Sequence, residues 1–107
     1  PTGLGSKRPL AQSLAHELAP HQVNVNAICP GLVDSERVDF IAAALVPEGQ
    51  SAEEHRALMV RERNTRVPLG RIAVGDDIAK MAAFLSSSES DYVTGLAISV
   101  SGGSEMS

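Results

Sequence analysis

Leu10, Leu14 and Leu18 recur at four-residue spacing with Ala11 and Ala15 beside them, while His16 and Glu17 fall on the opposite face. That periodicity predicts a helix over 10–19, with Pro9 suited to its first turn and Pro20 to its end. The pattern then changes. Residues 23–29, VNVNAIC, are rich in β-branched side chains and carry no charge, which predicts a strand buried on both faces, as in a parallel sheet. Helical spacing returns with Val38, Ile41, Ala42 and Leu45, behind candidate caps Asp34 and Ser35. Ser51 and Glu54 form a capping-box pattern that opens a second helix, SAEEHRALMVRERN, whose apolar content is thin. This helix is expected to lie over a surface rather than inside a core. Asp76 or Asp77 opens DDIAKMAAFLSS, an amphipathic helix over 76–87 with its stripe at Ile78, Met81, Ala82 and Leu85. Last, LAISVS at 96–101 alternates large and small residues, which is the period of a strand.

Helix, strand, helices, helix, strand is the order of an α/β fold, because two parallel strands need a crossover over one sheet face. Composition agrees. The chain has 107 residues, 43% hydrophobic and 21% charged, with a net charge of −4, which suits one globular domain with a modest core. Arg56, Arg61, Arg63, Arg66 and Arg71 are interleaved with Glu53, Glu54 and Glu62, so no basic patch marks a nucleic-acid surface. No apolar run approaches the ~20 residues of a membrane span. The single cysteine, Cys29, has no internal disulfide partner, which points to a reducing cytoplasm. His16, His21 and His55 have no spacing suited to a metal, so no metal site is expected.

The candidate chemistry sits where the first strand ends, in NVNAICPGLVDS. In open α/β sheets ligands collect beyond the carboxyl ends of strands, near helix N-termini. Pro30 fixes its own φ, and Gly31 has no Cβ to obstruct a close approach. The N–H groups of Leu32 and Val33, with the Ser35 hydroxyl, could then bond an amide or a phosphate. A plain turn is the commoner use of such a break.

Three stretches carry a family resemblance: SLAHELAPHQVNVNAICPGLVDS, VPLGRIAVGDDIAKMAAFLSSSESDYVTG and ISVSGG. Together they resemble the C-terminal half of a short-chain dehydrogenase/reductase, and they cover nearly the whole chain. The resemblance implies the C-terminal portion of a Rossmann-type doubly wound parallel sheet: two parallel strands, flanking helices and lid helices, the N-terminal half being absent. Residues 1–107 then form a single partial domain, with helix 10–19, strand 23–29, cofactor loop 30–35, lid helices 36–66, helix 76–87 and strand 96–101.

By the same resemblance the function is NAD(P)-dependent oxidation of alcohols or reduction of carbonyls. Pro30, Gly31, Leu32, Val33 and Ser35 line the nicotinamide end of NAD or NADP. The backbone near Val33 binds the carboxamide, and Ser35 stands where the family commonly has Thr. Lys7 matches the catalytic lysine, but the residue four before it, where the family has Tyr, is Gly3. The Gly-rich turn and the upstream Ser are also missing, so the chain is expected to be inactive alone. The implied partners are a small alcohol or carbonyl substrate, and either further copies in a homo-oligomer or the missing N-terminal half. No nucleic acid and no membrane are expected. The other reading is a non-catalytic oligomerisation or interaction module derived from that family.

Overall fold

The structure, a computed structural model, describes residues 9–104. Among them are four α-helices and two strands: α1 Leu10–Leu18, β1 Ala27–Pro30, α2 Glu36–Ala44, α3 Ala52–Thr65, α4 Gly75–Leu85 and β2 Ala97–Val100. β1 and β2 form a two-stranded sheet. Its hydrogen bonds step upward together, from Gly95 N–H to Val25 O (2.7 Å), through Ala27 N–H to Leu96 O (2.8 Å), to Gly31 N–H to Val100 O (3.1 Å). Rising together along both strands is the signature of parallel pairing, so the fold is α/β with a parallel sheet, as the pattern predicts.

The described residues form two compact units, 9–29 with Lys80–Ile98, and Pro30–Ala79 with 99–104. In the first, Pro9 takes the cap position in extended conformation (φ −55°, ψ 147°), so the helix begins at Leu10. A 3₁₀ turn at Ala19–His21 and the left-handed Gln22 (φ 61°) end it. The leucine stripe of α1 does not face a core. Ala15 is buried at 3% exposure, whereas Leu10 and Leu14 are 73% and 36% exposed. Small residues govern this packing: a Cβ added at Gly95 (φ +79°) would lie 3.5 Å from Ala15 Cβ, so α1 meets the 94–96 segment through its alanine.

The strand expected over 23–29 is shorter and shifted, Ala27–Pro30, and its last two residues are exposed. Asparagine chemistry explains the shorter start. Asn24 Nδ2 donates to Asp91 O (3.1 Å) and Asn26 Nδ2 to Val93 O (3.0 Å). Leu96 N–H donates to Asn26 Oδ1 (3.1 Å), and Val25 N–H to Thr94 Oγ1 (2.9 Å). Side chains therefore replace part of the backbone ladder before residue 27, as short polar side chains can. Burial on both faces is also corrected: Ala27 and Ile28 are half-buried, and Cys29 is exposed. The sheet is only two strands wide, so the described helices leave these positions partly uncovered. β2 alternates as its sequence predicts, with Ala97 and Ser99 exposed and Ile98 and Val100 half-buried.

In the second unit the buried residues are Val38 and Ala42 of α2, with Ile72 and Ser101. Burying a side chain of Val or Ile size stabilises by about 1.5–3 kcal/mol, so Val38 and Ile72 anchor this unit. α2 and α3 pack against each other. The Ser51 side chain accepts from Glu54 N–H (3.1 Å), forming the cap read from the sequence. No residue of α3 is buried, in keeping with a helix laid over a surface. α4 begins at Gly75, where Val74 N–H donates to Asp77 Oδ2 (2.8 Å) and Asp77 N–H to Val74 O (2.9 Å). Asp77 also takes a bidentate pair from Arg71 (2.7 and 3.0 Å), which holds that guanidinium's pKa above its usual value. Arg71 is thus a loop anchor. No helix among the described residues is long and apolar enough to cross a membrane.

Candidate functional site

The exit from β1 is built by a second, one-residue pairing. Val33 and Ala73 form an isolated parallel bridge, in which Ala73 N–H donates to Leu32 O (3.1 Å) and Asp34 N–H to Ala73 O (2.7 Å). Ala73 supplies both bonds, so the peptide groups facing it belong to Leu32 and Asp34. In extended backbone the groups of alternate residues point to opposite edges. The N–H and C=O of Val33 therefore point away from Ala73, and among the described residues neither has a hydrogen-bond partner. One donor and one acceptor stand side by side on an open edge.

Of the remaining residues named from sequence, Pro30, Gly31, Leu32 and Ser35 lie on the same stretch of chain. Pro30 ends β1 and is exposed. Gly31 N–H is used by Val100 O, and the side where Gly31 lacks a Cβ is filled by β2: an added Cβ would meet Ser101 Cβ at 3.0 Å and Ser101 Cα at 3.2 Å. The missing Cβ thus admits the neighbouring strand's exit. Leu32 is 41% exposed. Ser35 occupies the cap of α2 in extended conformation, but its side chain makes no capping bond. Asp34, offered from sequence as a cap, is engaged elsewhere. Lys7 lies outside the described residues.

Arg56 of α3 hydrogen-bonds both Asp39 of α2 and Asp34 of the exit loop. Its pKa is raised, first by the bond to Asp39 and then by that to Asp34, so the clamp stays charged. It ties α2 and α3 to the residue beside Val33. Arg56→Ala should speed amide hydrogen exchange several-fold around residues 34–39 and at the start of α3, with α1 unchanged. Arg56→Lys, lacking the planar fork, should fall between the two. α3 is also fastened at its other end, where Asn64 Oδ1 accepts from Ile72 N–H (2.8 Å).

Beside Gly31 and Leu32 opens a cleft of about 300 Å³ lined also by Arg63, Arg66, Ser101 and Ser104. Sequence reasoning passed over these four. The signal was present for the arginines, which at i and i+3 share a helix face; the serines become neighbours only through the β2 exit. Among the described residues no group of three or more His, Cys, Asp or Glu is placed to hold a metal.

Comparison with known proteins fits this geometry. A family model described as enoyl-(acyl carrier protein) reductase matches residues 8–105. Galactitol 2-dehydrogenase of Agrobacterium fabrum is 41% identical over 97 residues, covering 90% of this chain and 36% of that protein. A short chain dehydrogenase family protein from Francisella tularensis superposes with a TM-score of 0.76 at 33% identity, over 94% of this chain and 40% of that one. The NADPH dependent reductase YwfH, involved in bacilysin biosynthesis, superposes with a TM-score of 0.71 at 31% identity, over 91% of this chain and 35% of that one. The chain therefore spans little more than a third of the length of the proteins it matches. On the sequence match and the fold together, the chain belongs to the short-chain dehydrogenase/reductase family.

Proposed function

We propose that these residues form the nicotinamide end and the substrate lid of an NAD(P)-dependent oxidoreductase acting on a small alcohol or carbonyl compound. The observation that carries this reading is the unpaired Val33 edge. A carboxamide offers one acceptor and one donor side by side, which complements the N–H and C=O of a single extended residue. Pro30, Gly31 and Leu32 lead the chain to that edge, and Ser35 offers a hydroxyl not spent on capping. A neutral carboxamide suits the site better than a phosphate, because Glu36 and Asp39 already occupy the first turn of α2.

When bound, the nicotinamide would supply or accept the hydride of the alcohol–carbonyl exchange. The residues of this chain orient it, and the helices tied by Arg56 exclude water over it. Lys7 stands at the family's lysine position, where it would hold the cofactor ribose and lower the pKa of a tyrosine. Gly3 occupies the position of that tyrosine and has no side-chain proton to exchange, so we infer that this chain turns over only with a catalytic Tyr and Ser from outside these residues. The galactitol dehydrogenase relative favours a polyol-like substrate, and the NADPH dependent neighbour supports a nicotinamide cofactor. The lone cysteine favours a reducing, cytoplasmic setting.

Titration of the ¹⁵N-labelled chain with NADH and with NADPH should shift the amide signals of Val33 and Ser35. Val33→Pro, which deletes an N–H that holds no internal bond, should weaken that response at least about tenfold while leaving the far-UV spectrum unchanged. Shifts that leave Val33 untouched would overturn the reading. A second reading, a non-catalytic association module, is favoured by Leu10, Phe40, Leu45, Leu69 and Tyr92, each more than 60% exposed. Apolar surface of that kind suits a homo-oligomer or a complementary domain. Failure of both cofactors to bind would leave this second reading standing.

A further inference from the structure

The cleft beside Gly31 and Leu32 has a charge that the rest of the chain does not. The protein carries a net charge of −4, yet the cleft is lined by two arginines and by no Asp or Glu. Arg66 holds Glu62 at 2.7 Å on the helix surface, and Glu62 does not line the cleft. The Arg63 guanidinium has no partner among the described residues. Ser101 and Ser104 also line the cleft; the Ser101 hydroxyl pairs with that of Ser99 at 3.0 Å, and Ser104 Oγ donates to Ser101 O at 2.9 Å. That hydroxyl's lone pairs remain as acceptors for a substrate's own O–H groups. Guanidinium groups bind oxyanions through paired, charge-assisted hydrogen bonds, about twice as strong as neutral ones.

We propose that this cleft is an oxyanion subsite, so that the substrate of this protein is a small polyol or keto compound carrying a terminal carboxylate or phosphate. Arg63 and Arg66 hold the anionic end, and the hydroxylated or carbonyl end lies toward Gly31 and Leu32, the residues that lead to Val33. At about 300 Å³ the cleft is of the size that takes a small-molecule ligand. A neutral polyol would leave the Arg63 guanidinium without a partner, Arg66 keeping Glu62, so charge at one end is what distinguishes this substrate. The proposal rests on the nicotinamide reading for its orientation, but not for the anion contact itself.

The test uses the full chain with ¹⁵N-labelled arginine. Galactitol, galactonate, galactitol 1-phosphate and inorganic phosphate are each titrated while the Nε signals of Arg63 and Arg66 and the amide of Ser104 are followed. Galactonate, galactitol 1-phosphate or both should move these signals at concentrations at least about tenfold below galactitol and inorganic phosphate. Which of the two acts more strongly separates carboxylate from phosphate. Arg63→Ala and Arg66→Ala should each weaken that response about tenfold. Arg61→Ala, on the same helix but outside the cleft, should leave it unchanged. Galactitol acting as strongly as the acids, inorganic phosphate acting as strongly as the sugar phosphate, or no response to any anion would each overturn the proposal. So would NADH or NADPH moving the arginine signals and blocking the acids, because the arginines would then serve the cofactor. Arginine shifts with the acids but no Val33 shift with NADH would remove the nicotinamide reading alone.

Discussion

Gly102→Ala should destabilise the folded chain by about 2–4 kcal/mol, measured as a lower urea midpoint at unchanged slope. Gly102 sits at φ +64°, and a Cβ there would lie 2.6 Å from Val67 Cγ1. The left-handed backbone alone costs an L-residue about 1–2 kcal/mol. The rest comes from the overlap, because the γ-methyl of Val67 has little freedom to move away. The same point holds the β2 exit to the turn before Gly70: Leu69 N–H donates to Gly102 O at 3.0 Å, and Gly70 N–H closes the turn on Val67 O at 2.7 Å. Combining Gly102→Ala with Val67→Ala should restore the part due to overlap and leave the backbone part. Full additivity of the two losses would show that the contact does not set the cost.

Asn26→Leu should cost about 1–3 kcal/mol, read by chemical denaturation. Its amide accepts from Leu96 N–H and donates to Val93 O, and removing it leaves one donor and one acceptor of the backbone without their partner at the start of the sheet. Each such loss costs roughly 1–3 kcal/mol where water cannot replace it. Asn26→Asp keeps the acceptor for Leu96 but places a carboxylate oxygen against the Val93 carbonyl. It should therefore remain nearly as damaging as the leucine. A variant indistinguishable from wild type would mean that water substitutes for the side chain at both groups.

These two positions mark the limit of what the sequence discloses. Helix-forming stretches were legible because their apolar spacing and caps act locally: the Ser51–Glu54 cap and the alternation in β2 are both realised. The start of β1 was not legible, because asparagines in an apolar run look like tolerated strand residues until Val93 and Thr94, some 70 positions away, are brought beside them. The outward turn of the α1 leucines has a similar cause. Periodicity identifies an amphipathic stripe, but the closeness of Gly95 to Ala15 decides which face packs. At the site, the Pro-Gly break and the following residues announced an exit loop, and the motif resemblance supplied its meaning. The pairing of Val33 with Ala73, the Arg56 clamp and the cleft arginines depend on contacts between segments that no local pattern encodes. YVTG divides the same way. Val93, Thr94 and Gly95 bond or pack against residues 15 and 25–26, while Tyr92 is fully exposed.

The one-residue bridge at Val33 imposes a rule of parity on this loop. Because successive peptide groups in extended chain alternate sides, inserting or deleting one residue between Pro30 and Val33 would keep a bridge to Ala73 only by exchanging inward and outward groups. A change of two residues would preserve the alternation. Length variation here is therefore tolerable in even steps, while an odd step turns the open edge inward and closes it.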